Sequence, residues 1–307
     1  MTAGESFPRP LLDAAGKRRL LRGRLAESGL LRLPGAFNPL VARLVAATGF
    51  DGVYVSGGAL SAAAGLPDIG LTTATEVAGW AAPIAAATDL PTLADADTGF
   101  GEPVNVARTV ASLEDAGLAG CHLEDQVLPK RCGHLDGKTL VGRDEMVHRL
   151  RAAVAGRRDR DFLLIARTDA RGVEGLPAAI DRARAYVDAG ADAVFPEALA
   201  DEAEFAAFRA ALDVPLLANM TEFGKGPLLT ADTLRGLGYN LVIYPVSTLR
   251  LAMGAVESGL RRIAADGTQA AVVAPMMTRS RLYDLVGYAH YAQVDADIAS
   301  FTLPPDA

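Results

Sequence analysis

The sequence predicts an α/β protein of the (β/α)8 barrel class, and two observations support that prediction. The first is a recurring pattern in which an amphipathic stretch ends at a glycine and a short apolar run follows, as at Gly49, Gly117, Gly190 and Gly238. Glycine accepts the positive φ that ends many helices, and a short apolar run suits a strand buried in a parallel sheet. The second is that eight apolar runs alternate with helical segments, which is the arrangement of a TIM-type barrel.

Each strand is located by its apolar run. The predicted strands are Leu31–Ala36, Gly52–Ser56, Pro91–Asp95, Gly120–Glu124, Phe162–Arg167, Ala193–Glu197, Pro215–Asn219 and Leu241–Pro245. Helical segments such as Pro103–Ala116 and Pro177–Ala189 fall between most of them, and the proline at each start suits a first helical turn. A doubly wound sheet is the alternative, but it rarely needs eight units and the chain has no glycine-rich dinucleotide loop.

One domain is expected over residues 1–307. An N-terminal helical segment covers about residues 10–29, and a C-terminal helical extension covers about residues 247–307. The extension is longer than one barrel unit needs, so we expect it to pack outside the barrel or against another subunit.

Composition argues against several classes of protein. Half the residues are hydrophobic and 22% are charged, which is typical of a globular protein rather than a disordered one. The net charge is −7 and the chain has no basic block beyond Arg157-Arg158, so a nucleic-acid partner is not expected. No apolar run is long enough to span a membrane. Two cysteines and no signal peptide indicate a reducing, cytoplasmic setting.

Polar residues follow most of the predicted strands. The carboxyl ends of the strands build the active site of a barrel, so chemistry is expected to concentrate there. The residues at these ends are Ser56-Gly57-Gly58, Asp95-Ala96-Asp97, Glu124-Asp125, Arg167-Thr168-Asp169, Glu197, Asn219-Met220-Thr221 and, after the last strand, Arg250. A purely structural scaffold would not need polar residues at seven of eight strand ends.

The pair Asp95 and Asp97 is a candidate metal site. Residues two apart face the same side of an extended chain, and two carboxylates so placed repel each other unless a cation lies between them. Hard oxygen ligands favour Mg²⁺, Mn²⁺ or Ca²⁺ over zinc. The alternative is a solvated acidic turn that caps the next helix. Glu124, one strand over, favours the metal site.

A long irregular segment, residues 126–142, contains Lys130-Arg131-Cys132-Gly133-His134. Irregular segments of this length in a compact barrel are usually functional loops. The flanking cations are expected to lower the pKa of Cys132 and to make its thiol a proton donor or a thiolate. The alternative is a surface loop with an incidental cysteine. Cys121 lies within an apolar strand and is expected in the core.

Three arginines, Arg167, Arg250 and Arg279, are candidates to bind substrate carboxylates, because guanidinium pairs with carboxylate through two parallel hydrogen bonds. His122 is taken to be one residue out of the pocket-facing register and therefore structural. His148 and His290 lie in helical stretches and are expected on the surface or in packing positions.

These motifs, taken in order, resemble the isocitrate lyase / phosphoenolpyruvate mutase superfamily. The resemblance extends over about residues 10 to 295. It is carried by Tyr54-Val55-Ser56-Gly57-Gly58, Ala94-Asp95-Ala96-Asp97-Thr98-Gly99-Phe100-Gly101, Leu123-Glu124-Asp125-Gln126, Lys130-Arg131-Cys132-Gly133-His134, Ala166-Arg167-Thr168-Asp169, Phe195-Pro196-Glu197 and Leu217-Ala218-Asn219-Met220-Thr221-Glu222.

The resemblance implies a role for each matched residue. Asp95 and Asp97 match magnesium ligands that act mostly through bound water, with Asp68 and Glu124 contributing nearby; Mn²⁺ is a possible substitute. Cys132, His134, Tyr54 and Arg167 match catalytic positions. The substrate contacts implied are Ser56, Gly57, Gly58, Cys132, Gly133, Arg167, Glu197, Asn219, Met220, Thr221, Arg250 and Arg279.

The implied reaction is magnesium-dependent cleavage of a small polycarboxylate, 2-methylisocitrate, to pyruvate and succinate by a retro-aldol step, as in propionate catabolism through the methylcitrate cycle. Isocitrate lyase, 2,3-dimethylmalate lyase and oxaloacetate hydrolase activities of the same superfamily remain open alternatives. A non-catalytic carboxylate-binding barrel is disfavoured because the metal carboxylates and Cys132 are all present. Family members are typically homotetramers that exchange C-terminal helices, which would suit the segment after Ser247.

Overall fold

The computed structural model describes residues 10–27 and 29–301, in which strands and helices alternate. The strands are β1 (Leu31–Pro34), β2 (Val53–Val55), β3 (Thr92–Asp95), β4 (Gly120–Glu124), β5 (Leu163–Thr168), β6 (Ala193–Pro196), β7 (Leu217–Asn219) and β8 (Leu241–Tyr244). The helices are α1 (Ala14–Ala26), α2 (Pro39–Ala47), α3 (Gly57–Ala63), α4 (Ala74–Ala85), α5 (Pro103–Asp115), α6 (Arg143–Gly156), α7 (Leu176–Asp188), α8 (Glu202–Ala211), α9 (Ala231–Gly236), α10 (Ser247–Asp266), α11 (Arg279–Val286) and α12 (Tyr288–Ala299). Short 3-10 turns lie at Ala170–Gly172 and Ala270–Val272. Each predicted strand overlaps an observed one.

Every strand pairing is parallel. Strands β2 to β6 lie side by side in sequence order, and β8 lies between β1 and β7 in a second sheet. Isolated bridges join Gly35 to Tyr54 and Val194 to Leu216, so β1 adjoins β2 and β6 adjoins β7. The eight strands are therefore neighbours in cyclic sequence order. The predicted α/β fold with parallel strands is confirmed.

Local sequence explains where the elements begin and end. All four glycines of the recurring pattern have positive φ, between 78° at Gly49 and 108° at Gly190, as the pattern predicts. Proline occupies the first turn of α5 and α7, where its missing N–H costs no helical hydrogen bond. At α4 the Thr73 side chain accepts from the Glu76 amide while the Glu76 carboxylate accepts from the Thr73 amide, which is a capping box.

The two faces of the strands have different neighbours. Alternate residues such as Leu33, Leu93 and Ile165 form one apolar cluster, whereas the residues between them pack against the helices. Because side chains alternate along a strand, the inward row continues at the carboxyl ends into charged residues. In β5 that row runs through Leu163 and Ile165 to Arg167.

At the amino ends of the strands, α1 contributes both apolar and charged side chains. Leu21 is fully buried in the inward cluster. Arg18 donates through Nε to the Leu118 carbonyl (2.9 Å) and through Nη2 to the Glu114 carbonyl (2.7 Å), and it pairs with Asp159 at 3.0 Å. This end of the sheet is thus closed by a helix whose buried cations all have partners.

The chain divides into two compact units, one from Leu12 to Leu251 and one that includes the residues from Ala252 onward. In the second unit, α11 and α12 are joined at Gly287, and the rings of Tyr283 and Tyr288 stack with centroids 4.7 Å apart. None of the helices in the described part of the chain is long and apolar enough to cross a membrane.

Candidate active site

Most of the predicted site residues meet in one cavity of about 60 Å³ at the carboxyl ends of the strands. The predicted residues that line it are Tyr54, Ser56, Gly58, Asp68, Asp95, Cys132, Gly133, His134, Arg167, Glu197, Asn219 and Thr221. Lys130 and Phe195 line it as well. Because these residues come from most of the strand ends and from the 126–142 loop, only the folded chain assembles the site.

Three carboxylates lie against the glycines that follow β2. The Gly57 amide donates to Asp95 Oδ2 at 3.3 Å, and the Asp97 amide donates to Asp95 Oδ1 at 3.0 Å. A Cβ at Gly57 would lie 3.0 Å from Asp95 Oδ2, and one at Gly58 would lie 3.0 Å from Asp68 Oδ2. The glycine pair is therefore needed for close approach of the carboxylates, and Gly57 contacts Asp95 rather than the cavity.

A lysine side chain lies among these carboxylates. Lys130 Nζ is 2.8 Å from Asp97 Oδ1 and also forms an ion pair with Asp68. Burial lowers the pKa of Lys130, but Asp97, Glu124 and Asp95 together outweigh it and raise that pKa above its ordinary value. Burial and the negative charge of Asp95 raise the pKa of Asp97 to about 6. The sequence did not predict this pairing, because the residues of a loop do not show which carboxylate a lysine in that loop will contact.

The donor set suits a divalent cation that is bound partly through water. Among the described residues, no three His, Cys, Asp or Glu side chains already converge as metal ligands. Asp97 Oδ1 and both carboxylate oxygens of Glu124 are nevertheless buried, with no partner besides the ion pairs to Lys130 and Arg167. Buried carboxylate oxygens are hard ligands of the kind that Mg²⁺ prefers. These residues fit the cation, and the Lys130 ammonium lies where its positive charge would be needed.

Arg167 is surrounded by three carboxylates. Its Nε and Nη2 donate to the two oxygens of Asp169 at 3.0 and 3.2 Å, Nη1 lies 3.2 Å from Glu124, and Nη2 lies 3.5 Å from Glu197. Burial would raise the pKa of Asp169, but Arg167 and Lys138 hold it at about 2. The guanidinium also lies 5.2 Å from the centre of the Phe195 ring. The two nitrogens that could bind a substrate carboxylate through paired hydrogen bonds, Nε and Nη2, are therefore already bonded to Asp169.

The loop that carries Cys132 is folded against the strand ends. A Cβ at Gly133 would lie 2.4 Å from Glu197 Cγ and 2.5 Å from Arg167 Nη2, so only glycine allows this approach. His134 Nε2 lies 2.8 Å from Glu197 Oε1. The cations beside Cys132 are engaged elsewhere, since Lys130 meets carboxylates and Arg131 donates to the Asp136 carbonyl.

The expectation that flanking cations lower the pKa of Cys132 is wrong. Burial is the largest effect and raises that pKa above its ordinary value, although the His134 backbone and Arg167 oppose the rise. The thiol therefore stays protonated, which suits a proton donor and not a nucleophilic thiolate.

The register assigned to His122 is also wrong. His122 is two residues before Glu124 in β4 and shares its face, with the ring almost fully buried. Its Nε2 lies 2.6 Å from the Tyr54 hydroxyl and 3.6 Å from Asp95 Oδ1. Burial lowers the pKa of His122 to about 4 and raises the pKa of Tyr54 well above its ordinary value. A neutral imidazole thus holds a protonated phenol at the cavity. Because side chains alternate along a strand, counting back two residues from Glu124 would have placed His122 on the same face of β4.

Some predicted residues lie outside the cavity. The Met220 side chain is in the apolar core, where its sulfur accepts from the Leu229 amide at 3.1 Å. Glu124 does not line the cavity and forms an ion pair with Arg167. Arg250 donates to the backbone and the carboxylate of Glu222, both at 2.8 Å. Arg279 is an exposed residue at the start of α11 in the C-terminal unit.

A larger cavity of about 400 Å³ touches Asp97 from a different side. It is lined mainly by threonine and glycine, together with exposed Arg108. It holds neither Cys132 nor Arg167, so the smaller cavity is the one with the elements of a reaction.

The fold and this cavity define a class of protein: an α/β enzyme that binds a small anionic substrate beside a cluster of carboxylates and a protonated thiol. The chain belongs to the phosphoenolpyruvate phosphomutase family, whose sequence pattern matches residues 21–264. The superfamily predicted from the motifs is thereby confirmed.

Relatives and solved structures agree with this assignment. The chain is 59% identical over 286 residues to the probable 2-methylisocitrate lyase 2 of Corynebacterium glutamicum, covering 93% of each chain. It is 44% identical to the 2-methylisocitrate lyase of Escherichia coli, covering 92% of this chain and 95% of that one. Oxaloacetate acetylhydrolase in complex with 3,3-difluorooxalacetate superposes with a TM-score of 0.87 at 37% identity, covering 96% of this chain and 100% of that one. Phosphonopyruvate hydrolase in complex with oxalate and Mg²⁺ superposes with a TM-score of 0.83 at 34% identity, covering 91% and 98%.

Proposed function

We propose that this protein is a magnesium-dependent carbon–carbon lyase that cleaves 2-methylisocitrate to pyruvate and succinate. The observation that carries the proposal is that one cavity contains both a protonated thiol, Cys132, and the carboxylates suited to a cation, Asp68 and Asp95. A retro-aldol cleavage needs these two functions on opposite halves of one substrate. The substrate itself is suggested by the relatives named 2-methylisocitrate lyase, which match more than nine-tenths of the chain.

The carboxylate cluster would serve the half of the substrate that becomes pyruvate. Asp95, Asp97, Asp68 and Glu124 would hold the cation, which when bound supplies positive charge beside the substrate's hydroxyl and the adjacent carboxylate. Mg²⁺ suits these oxygen donors, and Mn²⁺ is a plausible substitute. Lys130, which pairs with Asp97 and Asp68, lies beside this position.

Tyr54 would orient the same hydroxyl. Its phenol stays protonated because burial and the surrounding carboxylates raise its pKa, so it acts as a hydrogen-bond partner and not as a phenolate base. His122 holds its oxygen at 2.6 Å. Once a carboxylate that lines the cavity has accepted the hydroxyl proton, the C–O bond gains double-bond character and the neighbouring C–C bond breaks.

Cys132 would complete the reaction on the succinate half. The electrons of the broken bond remain on the carbon next to a carboxylate, where Arg167 and the Ser56 hydroxyl can stabilise the added negative charge. The Cys132 thiol then donates its proton to that carbon. His134, Glu197, Asn219 and Thr221 would surround the substrate and place the loop.

The size of the cavity supports an opening of the loop for substrate entry. Its volume of about 60 Å³ is far below the roughly 300 Å³ or more of ordinary ligand sites, so a seven-carbon tricarboxylate cannot enter beside the folded loop. Substrate entry therefore requires that residues 130–134 move outward and return before the thiol acts.

A substrate panel tests the proposal. We expect kcat/KM for 2-methylisocitrate to exceed those for isocitrate and 2,3-dimethylmalate, measured in one buffer with Mg²⁺. Isocitrate lacks only one methyl group, which is worth about 1–3 kcal/mol in a pocket, so the preference over isocitrate should be about tenfold or more. If 2,3-dimethylmalate or oxaloacetate is the best substrate, the assignment moves to another activity of the superfamily, and turnover of none would overturn it.

We further propose that the eight strands close into a (β/α)8 barrel and that residues after Ser247 extend this single domain. The cyclic order of strand neighbours supports closure. We also propose a homotetramer in which C-terminal helices are exchanged between subunits. Leu251, Leu260, Ile298 and Phe301 are each more than half exposed in the single chain, which supports burial against another copy. Light scattering that gives the mass of a monomer would contradict this.

A further inference from the structure

We propose that the segment Thr221–Gly226 positions the Cys132 loop, with Gly224 and Lys225 forming the seat for the His134 imidazole. This inference deepens the proposed function, because it assigns the residues that hold the acid loop over the cavity. It rests on four sets of contacts within the described chain.

The first is the hydrogen bonding of His134. The Lys225 backbone amide donates to Nδ1 at 3.0 Å. A backbone amide can only donate, so Nδ1 is the acceptor and the ring proton lies on Nε2, 2.8 Å from Glu197 Oε1. The imidazole therefore links Glu197, the residue that follows β6, to Lys225 in the Thr221–Gly226 segment.

The second is the close approach at Gly224. A Cβ at Gly224 would lie 2.7, 2.9 and 3.1 Å from Nδ1, Cε1 and Cγ of His134, and no other group comes closer. The φ angle of Gly224 is not in the left-handed region, so the backbone itself does not require glycine. Glycine is needed at this position because a side chain there would collide with the His134 imidazole.

The third is the support beneath the seat. Arg250 donates to the Glu222 carbonyl and carboxylate, and Ser247 donates to the same carboxylate. The Arg250 guanidinium lies 5.3 Å from the centre of the Phe223 ring. Phe223 has a φ of 60°, which residues with side chains rarely adopt. Arg250 therefore holds the segment and does not itself line the cavity.

The fourth is the effect on the acid loop. His134 is two residues after Cys132, and Gly133 between them lies against Glu197 and Arg167. The exposed Lys225–Asp136 ion pair adds little, because solvent screens it. Seating the imidazole fixes the backbone that carries the thiol.

Gly224→Ala tests the seat, with Gly236→Ala as the matched control. A Cβ at Gly236 meets nothing within 4 Å, and its φ is not in the left-handed region. The first measurement is the rate at which iodoacetamide alkylates Cys132 without substrate, followed by mass spectrometry. Cys121 is fully buried and serves as the unreactive internal standard. We expect Gly224→Ala to raise the Cys132 rate about tenfold and Gly236→Ala to leave it unchanged.

A double variant shows whether the effect passes through His134. His134→Ala should raise the alkylation rate to the Gly224→Ala level, and adding Gly224→Ala to it should change nothing further. In turnover, Gly224→Ala should lower kcat by about tenfold to a hundredfold with a smaller change in KM, because a displacement of about 1 Å misplaces the acid.

Two results would overturn the inference: Gly224→Ala that is alkylated no faster than Gly236→Ala, or a Gly224→Ala effect that persists in full without His134. The alkylation assay needs no substrate. A protein that fails to cleave 2-methylisocitrate but shows the expected alkylation pattern would reject the proposed function and retain the seat.

Discussion

The two ends of the strands bury charge in different ways. At the amino ends, Lys17 donates to the Ala85 carbonyl at 2.7 Å and Arg18 has two carbonyls and one carboxylate as partners. At the carboxyl ends, the buried oxygens of Asp97 and Glu124 have only ion pairs with Lys130 and Arg167, and His122 Nδ1 and Asn219 Oδ1 have no hydrogen bond. Buried polar groups normally find partners, because leaving them unsatisfied costs stability. Thr92 Oγ1, at the start of β3, is the exception at the amino end. The buried cations of α1 there all have protein partners, whereas the carboxyl end keeps several buried polar groups that a ligand can satisfy.

The largest effect that separates the two ends is expected from Cys132→Ser. Serine is a much weaker acid, so kcat should fall by about 10²- to 10⁴-fold while pyruvate and succinate still bind. Cys121→Ala is the control, because Cys121 is a core residue far from solvent. It should lower the melting temperature but keep kcat. Near-normal turnover of Cys132→Ser would remove the thiol from the mechanism.

Metal dependence should be confined to the carboxyl end. Chelation should abolish activity and Mg²⁺ should restore it, and Asp95→Asn should raise the Mg²⁺ concentration for half-maximal activity by about tenfold or more. Asp159→Asn changes a carboxylate at the other end, where it pairs with Arg18. It should leave the Mg²⁺ dependence unaltered. Turnover that does not depend on metal would contradict the assignment of a metal site to the carboxyl ends of the strands.

Stability should respond most at the amino end. Arg18→Met removes three hydrogen-bonding contacts and leaves the buried Leu118 carbonyl without a donor, so the free energy of unfolding should fall by about 2–3 kcal/mol. Its neighbour Arg19 is exposed, and Arg19→Met should change that free energy by no more than about 0.5 kcal/mol. Urea unfolding measures both. Values of kcat/KM should be unchanged for Arg18→Met, and a large loss would show that the two ends are coupled.

The smallest effect is a pH dependence from Asp169, a stabilising carboxylate at the functional end. Arg167 and Lys138 overcome the effect of burial and hold its pKa at about 2, below the ordinary 3.8. A depressed carboxyl pKa contributes stability above pH about 4 and loses it as pH falls towards 2. Between pH 5 and 2, the wild-type free energy of unfolding should therefore fall by roughly 2 kcal/mol more than that of Asp169→Asn. An equal fall in the free energy of unfolding between pH 5 and 2 for the two proteins would contradict this prediction.

Much of the fold followed from local sequence. The apolar runs found every strand because a buried parallel strand must be short and uniformly apolar, and the glycines found helix ends because those positions have positive φ. The strand ends also indicated the site, since parallel strands bring their carboxyl ends to one edge. The register of His122 was missed, although the alternation of side chains along β4 contained the signal.

Long-range contacts decided what local sequence could not. Lys130 meets Asp97 across the site, and Arg250 meets Glu222 and not the cavity. Cys132 is flanked by cations along the chain, yet burial raises its pKa, because Lys130 and Arg131 pair with other groups. Electrostatic effects depend on distance through space, and neighbours in sequence are a poor guide to it.

The sequence by itself therefore determined the α/β architecture, the edge of the sheet at which the candidate site residues meet, and the family, because each depends on local patterns of polarity, glycine and motif order. Only the tertiary structure decided the protonation of the Cys132 thiol, the partner of Tyr54 and the seat of His134. Those properties arise from burial and from contacts between strand ends and loops far apart in the chain. Folding alone brings such groups within 3 Å and removes the water that would screen them.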